Sequence, residues 1–76
     1  MDAETINFIA IAVIMSFGVV GPAFAIGKIG SSALRGISRN PEASSKIQTS
    51  MVLAIAFAEA LGIYALVVSL ILKFVA

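Results

Sequence analysis

A single glutamate stands in the most apolar part of the sequence. Glu59 is flanked by Ala58 and Ala60, and it is the only charged residue between Met51 and Leu72. An acid surrounded by hydrocarbon is costly to ionise, so it stays neutral until a partner cation approaches. Proton relays are a recurrent use of such acids. The chemistry that this position predicts is therefore reversible protonation.

The remaining residue types leave little room for other chemistry. The 76 residues include no cysteine and no histidine. Disulfides and thiolate metal sites are therefore excluded, and the commonest metal ligand and general base is missing. We predict no catalytic residues, no metal site and no cofactor, and we do not expect an enzyme. The net charge of +1 gives no indication of a partner, and no nucleic-acid partner is expected.

The composition indicates a membrane protein. Hydrophobic residues make up 61% of the chain and charged residues 12%, whereas soluble domains are about 45–50% apolar and about 25% charged. Asp2 and Glu4 make the N-terminus acidic. A secretory signal peptide begins with a positively charged region, so we expect the first apolar stretch to be kept in the mature protein.

Two apolar stretches are long enough to cross a bilayer. One runs from Ile6 to Ile29 and the other from Met51 to Leu72. Each exceeds the roughly 20 residues that a membrane helix needs. Backbone groups in lipid must be paired internally, so both stretches are predicted to be helical. Glu59 would then lie about 12 Å into the second helix, inside the hydrocarbon core.

The polar segment between the stretches predicts a short turn. Asn40 suits a helix N-cap, Pro41 suits the first helical position, and the charge of Glu42 suits the helix dipole. We predict one hairpin over residues 1–76, with helix 1 at about 3–38, a polar loop at about 39–42 and helix 2 at about 43–75. The fold class is an all-α membrane protein, an antiparallel hairpin of two transmembrane helices.

The predicted hairpin also indicates which residues of helix 1 lie near the acid. Position 59 would lie opposite positions 21–25, with Lys28 a turn or more closer to the loop. We expect Lys28 to extend to the interface. The alternative is that Glu59 pairs with Lys28, or only hydrogen-bonds a neighbour.

Basic residues predict the orientation. Arg35, Arg39 and Lys46 lie around the loop, whereas the chain ends carry two acids and Lys73. Because positive residues are retained on the cytoplasmic side, the loop is predicted to be cytoplasmic and both termini outside.

Small residues lie on two sides of helix 1. Gly21 and Ala25 share one face, and Ala23 and Gly27 share another about 200° away. One stripe of small residues allows one neighbouring helix to approach closely. Two stripes predict a neighbour on each side, an arrangement that can close into a homo-oligomeric ring. The alternative is that glycine and alanine are simply frequent in membrane helices.

Three segments together resemble one family. The family is the F-type ATP synthase c subunit, also called the proteolipid or lipid-binding protein. Its loop resembles the turn 39–42, its glycine-rich run resembles the small-residue run 21–27, and its ion site resembles the segment 59–64. The resemblance covers essentially the whole chain. It implies a ring in the membrane Fo sector, with helix 1 inside, helix 2 outside, and lipid around it.

The resemblance also implies roles for residues and partners. Glu59 would take a proton from one half-channel in subunit a and release it into another, with an arginine of subunit a separating the two. The central stalk subunits gamma and epsilon would contact the loop. The loop residues concerned are Arg39, Asn40, Pro41 and Glu42, and the residues expected to support the proton site are Pro22, Ala25, Ile26 and Tyr64.

Two departures from the family pattern bear on ring size and on the ion. Ala23 and Ala25 replace glycines of the usual run, which should alter helix spacing and with it the number of copies in the ring. Sodium-binding members have glutamine in helix 1 and serine after the acid, where this chain has Ile26 and Ala60. Hard cations need several oxygen ligands, so we predict that the transported ion is a proton.

Other functions remain open on the sequence alone. One is a sodium-coupled member of the same family, which Ile26 and Ala60 disfavour. Another is a small pore-forming or holin-like hairpin, which needs no acid in the membrane. A soluble enzyme or binding module is nearly excluded by composition. The preferred location is the inner (plasma) membrane of a bacterium, and a plastid or mitochondrial membrane stays an alternative.

Overall fold

Two long helices joined by a tight turn make up the fold. The structure is a computed structural model that describes residues 1–75. Helix α1 spans Ala3–Arg39 and helix α2 spans Ser44–Phe74, with one 3-10 turn at Pro41–Ala43 between them. The helices pack against each other as a hairpin 58 Å long. Because a hydrocarbon core is about 30 Å thick, the hairpin extends well beyond it.

Helix α1 begins at a side-chain cap. The Thr5 backbone N–H donates to the Asp2 carboxylate at 2.8 Å. This hydrogen bond holds the pKa of Asp2 below its ordinary value, because it favours the ionised carboxylate. Glu4 in the first turn of α1 and Lys73 in the last turn of α2 complement the helix dipoles.

Helix α1 ends where the proline of the turn requires it. A residue before proline is disfavoured in the helical conformation, and Asn40 has φ −142° and ψ 77°. The Asn40 N–H donates to the Gly36 carbonyl at 2.9 Å, and the Asn40 carbonyl accepts from the Ala43 N–H at 3.0 Å. The 3-10 turn then leads into α2.

Asn40 and Pro41 occupy the predicted N-cap and first-turn positions, but they begin a 3-10 turn and not the regular α-helix. Within residues 1–75 the Asn40 side chain makes no capping hydrogen bond. The Asn40 backbone carbonyl opens the 3-10 turn instead, so the regular α-helix begins at Ser44, after that turn.

One stripe of each helix faces the other. Residues at every third or fourth position are less exposed than their neighbours, which is the pattern of a helix with one packed side. In α1 they are Asn7, Ile11, Ile14, Gly18, Pro22, Ala25, Ile29, Ala33 and Gly36, and in α2 Ile47, Met51, Ala54, Ala58, Gly62, Ala65, Ser69 and Leu72.

Most apolar side chains remain on the outside of the hairpin. Among the residues that the structure describes, only Ser69 is buried. Both helices are long and apolar enough to cross a membrane. A surface this apolar needs lipid or neighbouring chains to cover it.

The helices pack closely together at Gly18. A Cβ atom added to Gly18 would overlap the Cβ of Ala65, and a Cβ added to Gly62 would lie 3.6 Å from the Gly18 carbonyl oxygen. Near the open end, the Asn7 side-chain amide donates to the Leu72 carbonyl at 3.5 Å. These contacts stabilise one register of the two helices.

Candidate functional site

Glu59 lies in a groove of about 300 Å³ on one side of the hairpin. Helix α1 supplies one wall and α2 the other. The lining residues are Met15, Gly18, Val19, Pro22, Ala23, Ile26, Glu59, Gly62, Ile63 and Leu66. Among these, Glu59 is the only one whose side chain carries an oxygen or nitrogen atom. The groove is therefore an apolar surface with one ionisable group.

The register brings the expected part of α1 beside the acid. Pro22, Ala23 and Ile26 share the groove with Glu59, in agreement with the predicted level of positions 21–25. Glu59 is exposed on the single hairpin, so a proton can reach it from the groove. This arrangement allows proton exchange at the helix surface without unfolding of the hairpin.

Lys28 does not share the Glu59 groove. It lines two other grooves nearer the loop, together with residues such as Arg35 and Lys46. Lys28 therefore lies closer to the loop than the Glu59 groove, as predicted. This position gives no support to the alternative in which Lys28 pairs with the acid.

The four residues expected to support the site fall into two pairs. Pro22 and Ile26 line the Glu59 groove. Ala25 lies on the half-buried stripe toward α2, and Tyr64 is 63% exposed; neither lines the groove. The structure therefore brings together two of the four with Glu59.

Gly18 and Gly62 also line the groove, although the sequence analysis named neither as a residue that supports the site. Both lie where the two helices pack closely beside Glu59. The available signals were spacings: Gly62 is three residues after Glu59, and Gly18 is four residues before Pro22. Residues at these spacings share a helix face.

The small residues of helix α1 divide between two environments. Gly21, Ala23 and Gly27 are exposed, and among the described residues no atom outside the local helix backbone lies within 4 Å of a Cβ added to Gly21 or Gly27. Ala25 instead faces the α2 side. Gly21 and Ala25 therefore do not act as one surface within the hairpin.

The loop residues lie together at one end of the molecule. Arg39, Asn40, Pro41 and Glu42 are all exposed at the turn. In the part of the chain that the structure describes, no three acidic, histidine or cysteine side chains converge in a way that could hold a metal ion.

Comparison with known proteins identifies the family. The family model for the ATP synthase C subunit matches residues 9–72. The chain belongs to this family. An ATP synthase c subunit from Dehalococcoides mccartyi is 46% identical over 76 residues, covering 100% of both chains.

Other relatives in the ATP synthase C-subunit family cover nearly the same length. An ATP synthase c subunit from Chloroflexus aurantiacus is 41% identical over 71 residues, which are 93% of each chain. Another from Pelobacter propionicus is 43% identical over 74 residues, 97% of this chain and 81% of the relative. The resemblance drawn from the sequence is thereby confirmed.

Family membership settles the class of protein. It confirms the predicted fold class, a two-helix membrane hairpin of a ring-forming family. It also gives the chain a non-catalytic role in the rotor ring of the Fo sector of an ATP synthase.

Proposed function

We propose that this rotor protein carries protons and that Glu59 is the carrying group. The observation that supports the proposal is the Glu59 groove, where one carboxyl group stands among apolar side chains. A neutral carboxylic acid crosses lipid at far lower cost than a carboxylate. Each Glu59 therefore binds a proton at one half-channel of subunit a, moves through lipid as the neutral acid, and releases the proton at the other half-channel.

The residues around Glu59 favour a proton over sodium. A hard cation needs several oxygen ligands, and Glu59 supplies the only side-chain oxygens of the groove. Ile26 on α1 and Ala60 after the acid provide hydrocarbon where a sodium site would need donors. A proton needs only one acceptor, which the carboxylate supplies.

Rotation needs neighbours on both sides of each hairpin. Exposed Gly21, Ala23 and Gly27 leave space for the backbone of an adjacent copy. In the proposed ring α1 lies inside and α2 outside, so that Glu59 passes an arginine of subunit a, which separates the two half-channels. Each proton moving down about 100 mV contributes about 2.3 kcal/mol, so a ring of repeated sites combines several per ATP.

The loop is proposed to transmit torque. Arg39, Asn40, Pro41 and Glu42 are exposed at the turn, where the central stalk subunits gamma and epsilon would bind. The basic residues near the loop favour a cytoplasmic position for it, with both termini outside. The relatives named above come from bacteria, which favours the bacterial plasma membrane as the location.

The test is ATP synthesis by the assembled complex in vesicles under an imposed proton gradient. Glu59→Gln in every copy should abolish synthesis and leave the vesicles tight to protons. The matched control is Glu4→Gln, which removes an exposed acid at the chain end and should retain synthesis. If the Glu59→Gln complex still couples a proton gradient to synthesis, or if the variant hairpin conducts ions as a pore, the proposal fails.

A further inference from the structure

One backbone carbonyl of helix α1 lacks its ordinary helical partner. In an α-helix the carbonyl of residue 18 accepts from the N–H of residue 22. Residue 22 is a proline and has no N–H to donate. A carbonyl inside a bilayer cannot turn to bulk water, so it needs another donor. The Gly18 carbonyl is therefore an acceptor available to another group.

The Gly18 carbonyl lies beside the acid-bearing helix. A Cβ atom built on Gly62 would lie 3.6 Å from the Gly18 oxygen. Because Gly62 has no side chain, nothing of that residue covers the oxygen. Gly18, Pro22, Glu59 and Gly62 all line the same groove, and Glu59 and Gly62 lie three residues apart on one face of α2.

Only one group of the groove can serve as a side-chain donor. Of the groove residues described here, Glu59 alone has a side chain that carries an O–H or N–H, and only when it is protonated. We infer that the Gly18 carbonyl accepts a hydrogen bond directly from the protonated Glu59 carboxyl group, and that Pro22 keeps this carbonyl available.

This inference rests on the proposed function and adds a residue that adjusts proton affinity. An ionised carboxylate has no hydrogen to donate, so the bond forms only with the neutral acid. Gly18 therefore stabilises the protonated carrier. Among the residues that the structure describes, no other titratable side chain faces Glu59 in the groove from α1 or α2, since Lys28 and Tyr64 lie outside it.

The sequence permits a direct observation of the Gly18 carbonyl. Gly18-Val19 is the only glycine-valine pair in the chain. Rings assembled in lipid from protein with ¹³C-carbonyl glycine and ¹⁵N valine therefore give one carbon–nitrogen filtered signal. We expect the ¹³C chemical shift of this signal to change with pH. The midpoint of that change should coincide with the pH at which labelling of Glu59 by a hydrophobic carbodiimide is half lost.

Pro22→Ala restores the missing backbone N–H at residue 22. The Gly18 carbonyl should then accept from that N–H and no longer from Glu59. The Gly18 signal should then stop responding to pH, and the labelling midpoint should fall by about half to one pH unit, the range expected for one net hydrogen bond. The matched control is Val20→Ala, which trims a different groove and should change neither result.

The outcomes separate this inference from the proposed function. A Gly18 signal that ignores pH while Glu59 labelling titrates normally would overturn the inference and leave the proton-carrier role standing. An unchanged midpoint in an assembled Pro22→Ala ring would overturn it as well. Glu59 that is never labelled at any pH would instead overturn the proposed function. If Pro22→Ala does not assemble into rings, the pH titration of the Gly18 signal in the unmodified ring still tests the inference.

Discussion

Replacing Gly18 with alanine should force the two helices apart beside the Glu59 groove. The added Cβ would overlap the Cβ of Ala65, whereas two non-bonded carbons need about 3.5–4.0 Å. A Cβ atom cannot rotate away from its own backbone, so the helices must separate by about 1 Å or more. Overpacking of this kind costs about 1–3 kcal/mol, and we expect the hairpin to lose stability within that range.

The helix separation can be measured directly because the chain has no cysteine. Nitroxide labels at Ser16→Cys and Val67→Cys, two exposed positions, would report the distance between the helices by double electron–electron resonance. We expect Gly18→Ala to lengthen that distance and to lower the concentration of denaturing detergent at which the helices part.

The matched control is another glycine of the same helix. Among the described residues nothing outside the local helix backbone lies within 4 Å of a Cβ added to Gly21, so Gly21→Ala should leave the distance and the stability of the hairpin unchanged. The packing argument would be refuted if Gly18→Ala and Gly21→Ala gave the same helix distance and the same detergent midpoint.

Three smaller effects follow from other contacts. Gly62→Ala should be tolerated in the same detergent assay, with a change within about 0.5 kcal/mol, because its new Cβ would make an ordinary contact of 3.6 Å with the Gly18 oxygen. The Asp2 cap should stabilise the start of α1 above the unfolded pKa and lose that effect as the pH falls through the lowered folded value; the protection of the Thr5 amide against exchange, relative to the intrinsic rate at each pH, should fall with acid in the native chain but not in Asp2→Asn. Lys73→Met should weaken the last turn of α2 by about 0.5–1 kcal/mol, seen as faster amide exchange, because the Lys73 ammonium lies 5.9 and 5.8 Å from two phenylalanine ring centres.

The sequence predicts the hairpin well because the bilayer leaves few alternatives. Two apolar stretches of sufficient length must be helices when lipid offers no hydrogen-bond partners. Helix α1 ends at Arg39 and α2 begins at Ser44, each one residue beyond the expected bounds of 38 and 43. The 3-10 turn was not predicted, because Asn40 and Pro41 are compatible both with a side-chain cap and with a backbone turn.

The detailed surroundings of the acid could not be read from the sequence. The spacing of the α1 glycines is the same whether they contact α2 or another hairpin. The turn sets the register, and that register places Gly18 against Ala65 and leaves Gly21 open. Glu59 itself could be singled out from the sequence as the candidate, because a lone acid in an apolar helix has few structural explanations.

The most direct test of the proton-carrier role is labelling of Glu59 by a hydrophobic carbodiimide in membranes, followed over pH with and without sodium. Carbodiimides react with the protonated acid. We predict labelling confined to Glu59 that fades only at alkaline pH and does not respond to sodium. Protection by sodium would contradict the choice of ion while leaving the rotor role intact. No labelling near neutral pH would mean that Glu59 is ionised or paired there, and it would contradict the account of Glu59 as a neutral carrier.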